Sequence, residues 1–351
     1  MQRPVAPSGP VFALLSAILF GASMSLAKFL LGDGVAPWLL AGILYLGSGL
    51  GLAILRLLRF RAGSEAALVR GDWGWMALVV LAGGVTGPVL LMIGLATTSA
   101  SSAALLLNVE GLATMGIAWL VFHENVDRRL LAGAAAILAG AVILTWKGGH
   151  GGVGLGALAI VGACLAWGID NNLTRKLSGS DPIVIAMIKG LVAGCVNLTL
   201  GLAGGAHLPS LSTMVSAGLV GFFGYGVSLV LFVLALRHLG SARAGAYFSL
   251  APFIGALLGI VLFGELVTAR LLMAAALMSI GLYFHLVENH AHEHVHQSLE
   301  HAHAHVHDQH HQHEHGPGDP MQEPHVHHHK HIRLVHTHPH YPDQHHRHDH
   351  D

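Results

Sequence analysis

Apolar residues fall in stretches of about 20, long enough as helices to cross the ~30 Å hydrocarbon core of a bilayer. Ten such stretches are read at 11–31, 37–58, 73–96, 101–122, 129–147, 154–174, 182–204, 211–236, 242–263 and 271–287. The polar connections between them are short and leave no room for a soluble domain before residue 288. Beyond that point the apolar runs stop. The pattern predicts an all-α polytopic membrane protein of ten transmembrane helices, followed by a disordered C-terminal tail.

The spans repeat. At an offset of 141 residues, LLLNVEGLATMGIAWLVFHE (105–124) aligns with AYFSLAPFIGALLGIVLFGE (246–265). Over residues 122–140 nine of nineteen positions are identical, among them Phe122, Glu124, Arg129 and Gly140 with mates Phe263, Glu265, Arg270 and Gly281. Two five-helix repeats follow, at 11–147 and 154–287, with a His-rich tail at 288–351. Five spans between equivalent points put the second copy into the bilayer from the opposite side. Inverted repeats of this kind build two access states from one fold. The first run follows Arg3 as a signal peptide would, but it is too long for one and the repeat requires it as a span.

Lysine and arginine set the orientation. With the N-terminus inside, eleven of these residues up to Arg243 lie on the cytoplasmic side and three (Lys28, Lys147, Arg270) on the other. That bias predicts cytoplasmic N- and C-termini in a multi-pass protein of the plasma (inner) membrane. Composition agrees: the chain is 53% hydrophobic and 11% charged, where soluble domains carry roughly 25% charge. The net charge of −1 gives no reason to expect nucleic acid. Cys164 and Cys195 both lie within spans, so no disulfide framework is expected. GxxxG pairs at Gly47/Gly51, Gly83/Gly87, Gly190/Gly194 and Gly255/Gly259 mark close helix packing.

Interruptions occur at matched places in the two halves. Span 4 carries Asn108-Val109-Glu110-Gly111, and its mate in span 9 is Ser249-Leu250-Ala251-Pro252. Paired breaks of this kind point to a midplane binding site, with Gly111 and Pro252 as hinges. Pro88 in span 3 is a third kink without a proline mate. Glu110 is the one carboxylate well inside the apolar region, where insertion of an acid costs roughly 2.5–3.5 kcal/mol unless a partner or cavity compensates. Lys189 in span 7 is the one buried amine, and a Glu110–Lys189 pair satisfies both. Either one or both of these residues contact solute or carry a coupling proton, or the pair is a static register lock. Asp170, Asn171 and Asn172 near the end of span 6 mean a frayed helix end or a polar vestibule, and Asn197 shares a face with Lys189. Asn108, Glu110, Asp170, Lys189 and Asn197 are therefore the candidate solute-binding residues. Lys28 is expected to snorkel to the interface. Glu124 and Glu265 are expected to cap or anchor the start of the span that follows each.

The last 62 residues hold 24 of the 29 histidines, in two blocks around GPGDPMQEP. Alternation as in HAHEHVH and HVHHHKH offers imidazoles to Zn²⁺, Ni²⁺, Co²⁺ or Cu²⁺. The candidate ligands are His292, His294, His296, His303, His305, His307, His327, His328, His329 and His331. As a coil the tail reaches very roughly 40–50 Å, enough to return to the cytoplasmic mouth. It would also gain positive charge on acidification.

These residues resemble the drug/metabolite transporter superfamily, EamA type, over 11–287. The carriers are WLVFHE, IVLFGE and the span 9 motif GSARAGAYFSLAPFIGALL. The resemblance implies an inverted-repeat bundle in which spans 1–4 and 6–9 surround a solute cavity and spans 5 and 10 form a scaffold. It also implies transport of small organic metabolites, with proton or exchange coupling. Glu110-Gly111 and the tail depart from the usual pattern. The expected function is a secondary active transporter of a small polar organic solute, with no required cofactor and a metal-binding regulatory tail. The alternative is a divalent Ni/Co/Zn carrier that collects cargo on the tail. No His/Asp or Cys/His constellation in the spans suggests an enzyme. Expected partners are the solute, membrane lipid and divalent metal ions at the tail, with a homodimer left open.

Overall fold

The computed structural model describes residues 8–58, 68, 70–122, 128–146, 154–174, 177, 180–239 and 247–286, with four short backbone segments in the tail. The helices are α1 (Ser8–Gly32), α2 (Pro37–Leu58), α3 (Trp73–Val79), α4 (Gly87–Thr97), α5 (Ala100–Leu106), α6 (Val109–Phe122) and α7 (Arg128–Thr145). The second half follows with α8 (Leu155–Thr174), α9 (Pro182–Ala203), α10 (Leu211–Gly221), α11 (Ser228–Leu239), α12 (Ala251–Phe263) and α13 (Ala269–Leu286). Some of these join into continuous spans. Eight spans among the described residues are long and apolar enough to cross a membrane, and Ala251–Phe263 and Ala269–Phe284 are shorter apolar helices.

The helix ends follow from local chemistry. Asp181 accepts from Ile183 N (2.9 Å) to cap α9, with Pro182 in the first turn where its missing N–H costs nothing. Ser210 caps α10 through Thr213 N. Gly264 ends α12 at φ +59°, a left-handed position that favours glycine.

Both matched interruptions are present. Between α5 and α6 the chain turns at Leu107–Asn108, with short-range bonds Leu107 N→Ala104 O, Asn108 N→Leu105 O and Glu110 N→Leu107 O. In the second half a turn at Ser249–Leu250 precedes α12. The breaks fall just before the expected hinges. Gly111 lies inside α6, and Pro252 lies in the first turn of α12, where proline is tolerated.

A second matched pair is absent from the hydropathy pattern. Val80–Thr86 joins α3 to α4 as a π-helical segment, and Phe222–Val227 joins α10 to α11 in the same way. The 141-residue offset superposes Gly83 on Gly224 within them. Pro88 follows the first as the second residue of α4.

Packing keeps its pattern when each helix is exchanged for its mate. α2 lies along α9 and α7 along α13, while α4 and α6 pack on α8 as α11 and α12 pack on α1. The GxxxG glycines lie where backbones meet: a Cβ at Gly190 would fall 2.7 Å from Gly49 N, and one at Gly259 would fall 2.7 Å from Ser101 N. Large apolar side chains such as Leu138, Val142, Leu272 and Ile280 on α7 and α13 face outward, as a lipid-facing pair requires.

The tail departs from the expected absence of regular structure. β1 (Ala291–His296) pairs antiparallel with β4 (Leu334–Pro339), and β2 (Glu300–His305) with β3 (His325–Lys330). The alternating His/small/Val pattern has the period of a strand.

Candidate functional site

The first π-segment organises the polar interior. A π-turn breaks the regular ladder and leaves carbonyls for other partners. Gly83 O accepts from Tyr45 Oη of α2 (2.9 Å) and Trp167 Nε1 of α8 (3.1 Å). Gly84 O accepts from Asn197 Nδ2 of α9 (2.9 Å). Gly83 has no side chain, and the space beside it holds the Asp170 carboxyl; Lys189 and Ala193 pack on Gly84.

Asp170, 4% exposed, forms a salt bridge with Lys189. The expected Glu110–Lys189 pair is therefore not formed. Glu110 instead accepts from Asn171 Nδ2 at 3.0 Å, while Asn171 also donates to Thr114 Oγ1 at 3.1 Å. The cause is azimuth as well as depth: Asp170 on α8 faces α9 across the gap at Gly83, and Glu110 on α6 faces the next residue of α8. Glu110 also occupies the first turn of α6, where the helix dipole favours an anion.

α8 stays helical through Thr174 with no fraying. Asn172 donates to Thr114 O (3.0 Å) and Gly168 O (2.8 Å), and Thr174 Oγ1 donates to Asp170 Oδ1 (3.3 Å). Asp170 and Asn172 are thus buried in the bundle, while Asn171 between them is exposed and reaches Glu110 and Thr114 from the rim. Of the five residues singled out, Glu110, Asp170, Lys189 and Asn197 gather around α8 and the π-segment. Asn108 lies apart: it donates to Leu105 O (2.8 Å) and touches Met278 Sδ (3.8 Å) on α13. Nothing lies within 4 Å of a Cβ built on Gly111, so that position borders open space beside Glu110.

Tyr45, Trp167 and the Gly83-Gly84 carbonyls are members that reading the sequence missed. The signal available was the glycine matched at 83 and 224 within two apolar runs. From Tyr45 a string of rings crosses to the second half: Tyr45–Tyr225 (centroids 5.5 Å), Tyr225–Phe20 (5.9 Å) and Phe20–Phe248 (5.4 Å).

On the opposite face, Glu265 does not cap the following span. Its Oε1 accepts from Ala100 N (2.6 Å) and its Oε2 from Ser101 N (3.0 Å) and Ser101 Oγ, which closes the N-terminus of α5 in the other half. Lys28 has specific partners at a helix end. It donates to Leu95 O (2.5 Å) and Thr98 O (2.8 Å) at the C-terminus of α4. Glu124 lies outside the described residues. So do His307 and His331; the other tail histidines named above lie in or beside the strand backbones. Among the described residues no group of three or more His, Cys, Asp or Glu is placed to hold a metal.

Charged groups buried at broken helices in a membrane bundle are features that transporters share. The model of the EamA-like transporter family matches residues 7–146 and again 154–287, so the chain belongs to that family. It is 29% identical over 273 residues to an uncharacterized transporter of Methanothermobacter thermautotrophicus, covering 73% of this chain and 80% of that one. It is 26% identical over 294 residues to the uncharacterized inner membrane transporter YedA of Escherichia coli K12, covering 78% and 91%. A solved crystal structure shares the fold at 20% identity and TM-score 0.59, covering 79% of this chain and 95% of that one.

Proposed function

We propose that the chain is a secondary active transporter that moves a small polar organic solute across the inner membrane by alternating access of two inverted repeats. One observation carries this reading: an ion pair, a carboxylate and buried amides meet where spans 3 and 4 depart from regular helix. Ionisable groups are costly in a membrane and mark solute or ion paths. Glu110 is the solute or proton contact, Asp170 and Lys189 fix the floor beneath it, and Asn197 and Tyr45 hold the π-segment open. Membership of a transporter family supports a carrier over an enzyme.

In this reading the contacts at the N-terminus of α5 close the side that the charge bias makes the outer one. There α5 packs on α1 and α12 and Glu265 joins the two halves, whereas α6 packs on α7 and α8. The N- and C-termini lie in the cytoplasm, and the tail binds divalent metal as a regulator rather than as cargo. A metal-carrier reading is disfavoured by chemistry, because Asp170 is committed to Lys189 and Glu110 to an amide donor.

Alternating access is tested at Gly111. A Gly111→Cys variant, with Cys164 and Cys195 replaced by alanine, should react with a membrane-impermeant maleimide from either face of sealed vesicles. Labelling from one face alone under all conditions contradicts the reading.

A further inference from the structure

The described side chains of the spans gather no metal-ligating group. The paired strand backbones of the tail place histidines in a different way. In an antiparallel pair, residues opposite one another lie on the same face, with Cβ atoms about 4.5–5.5 Å apart. The next rung of that face follows about 7 Å along the strand. The β1–β4 register sets His292 opposite His338 and His294 opposite His336, two adjacent rungs of one face. The β2–β3 register sets His301, His303 and His305 opposite His329, His327 and His325, three adjacent rungs of one face. His301, His325, His336 and His338 join the candidate ligands through register alone. His328 falls opposite Ala302, on the other face.

The remaining pairs support the same register. Val295 stands opposite Val335 and Glu300 opposite Lys330, an apolar pair and a pair of opposite charges. From the His296–Leu334 pair to the Glu300–Lys330 pair each strand moves on by four residues, so the two ladders share one register. A two-stranded ribbon is marginal in water by itself. Two adjacent His–His rungs supply four nitrogen ligands, the number that a closed tetrahedral Zn²⁺ site takes, and such a site contributes folding energy outright.

We propose that each ladder is clasped by one divalent transition-metal ion, which bridges two adjacent His–His rungs and joins the strands. The first site is His292, His294, His336 and His338. In the second, the central rung His303–His327 belongs to either choice of two adjacent rungs. The proposal rests on the reading that the tail binds metal as a regulator, and it gives that regulation a form. Ala291 follows the end of α13 at Leu286 by five residues, so metal draws the far end of the tail back to the membrane domain.

The test uses full-length protein in lipid nanodiscs, with Zn²⁺ titrated against a competing chelator. One variant replaces a rung of each site, His294, His336, His303 and His327, with alanine. A second replaces His307, His310, His311 and His313, between β2 and β3, so that each loses four of the 24 tail histidines. The rung variant should bind Zn²⁺ at least about tenfold more weakly, because two of four ligands leave each site, and the second should stay within about twofold of the parent. With Cys164 and Cys195 replaced by alanine, pyrene labels on Glu293→Cys and Thr337→Cys, opposite one another in the register, should give excimer emission when Zn²⁺ is bound. The rung substitutions should remove it. Affinities that fall equally or not at all in the two variants, or no excimer with Zn²⁺ bound, overturn the proposal and leave metal binding by the tail standing. Zn²⁺ binding that removal of residues 290–351 leaves unchanged overturns both.

Discussion

Lys189 on α9 reaches the Asp170 carboxylate on α8 beside the bare backbone of Gly83, and Glu110 is left to an amide donor from Asn171. The two acids therefore have separate duties. One is paired with a cation; the other accepts from a neutral amide, which in the proposed function leaves it able to change partner during a transport cycle.

Breaking the pair on one side strands a buried charge. Lys189→Gln or Asp170→Asn should destabilise the protein by about 3–5 kcal/mol, and the double variant should be more stable than either single one. Thermal unfolding in detergent measures this. Additive losses in the double variant would show that the two groups do not interact.

Gly83→Ala places a methyl group inside the Asp170 carboxyl. The ion pair must open, so transport and stability should both fall. Gly111→Ala meets nothing within 4 Å and should fold like the parent. Equal tolerance at both positions would argue against the close approach at Gly83.

Glu265 holds the N-terminal end of α5 across the two halves. Glu265→Ala removes a carboxylate cap and should cost about 1–2 kcal/mol. It should also raise the rate at which a cysteine placed at Ser102 is alkylated from outside. An unchanged rate would mean that the contact does not close the outer side.

Removal of residues 290–351 should abolish most binding of Ni²⁺ or Zn²⁺, measured by equilibrium dialysis, and leave solute flux largely intact. Retained metal binding would place the metal site in the spans.

Much of this was legible in the sequence, and the limits have physical causes. Hydropathy and the 141-residue offset locate the spans, the break at Asn108 and its mate at Ser249. They also single out Glu110, Asp170, Lys189 and Asn197, because polar residues in apolar runs are conspicuous. Pairing was not legible, since position along a helix gives depth but not which neighbour stands opposite. Depth alone pairs Lys189 with Glu110, whereas the structure pairs it with Asp170. The π-segments stayed hidden because one extra residue per turn leaves an apolar run apolar. Glu265 and Ser101 are 164 residues apart, and nothing local signals their contact. In the tail the low apolar content points to disorder, and the strand pairing joins segments far apart in the chain, which nothing local signals.

The most direct measurement is a solute-resistance and uptake screen in a host stripped of its own exporters, with and without added Ni²⁺, Co²⁺ or Zn²⁺. The account expects a phenotype for an organic solute that Glu110→Gln abolishes and removal of residues 290–351 preserves. A phenotype confined to added metal and lost with the tail, or one indifferent to Glu110→Gln, would contradict it.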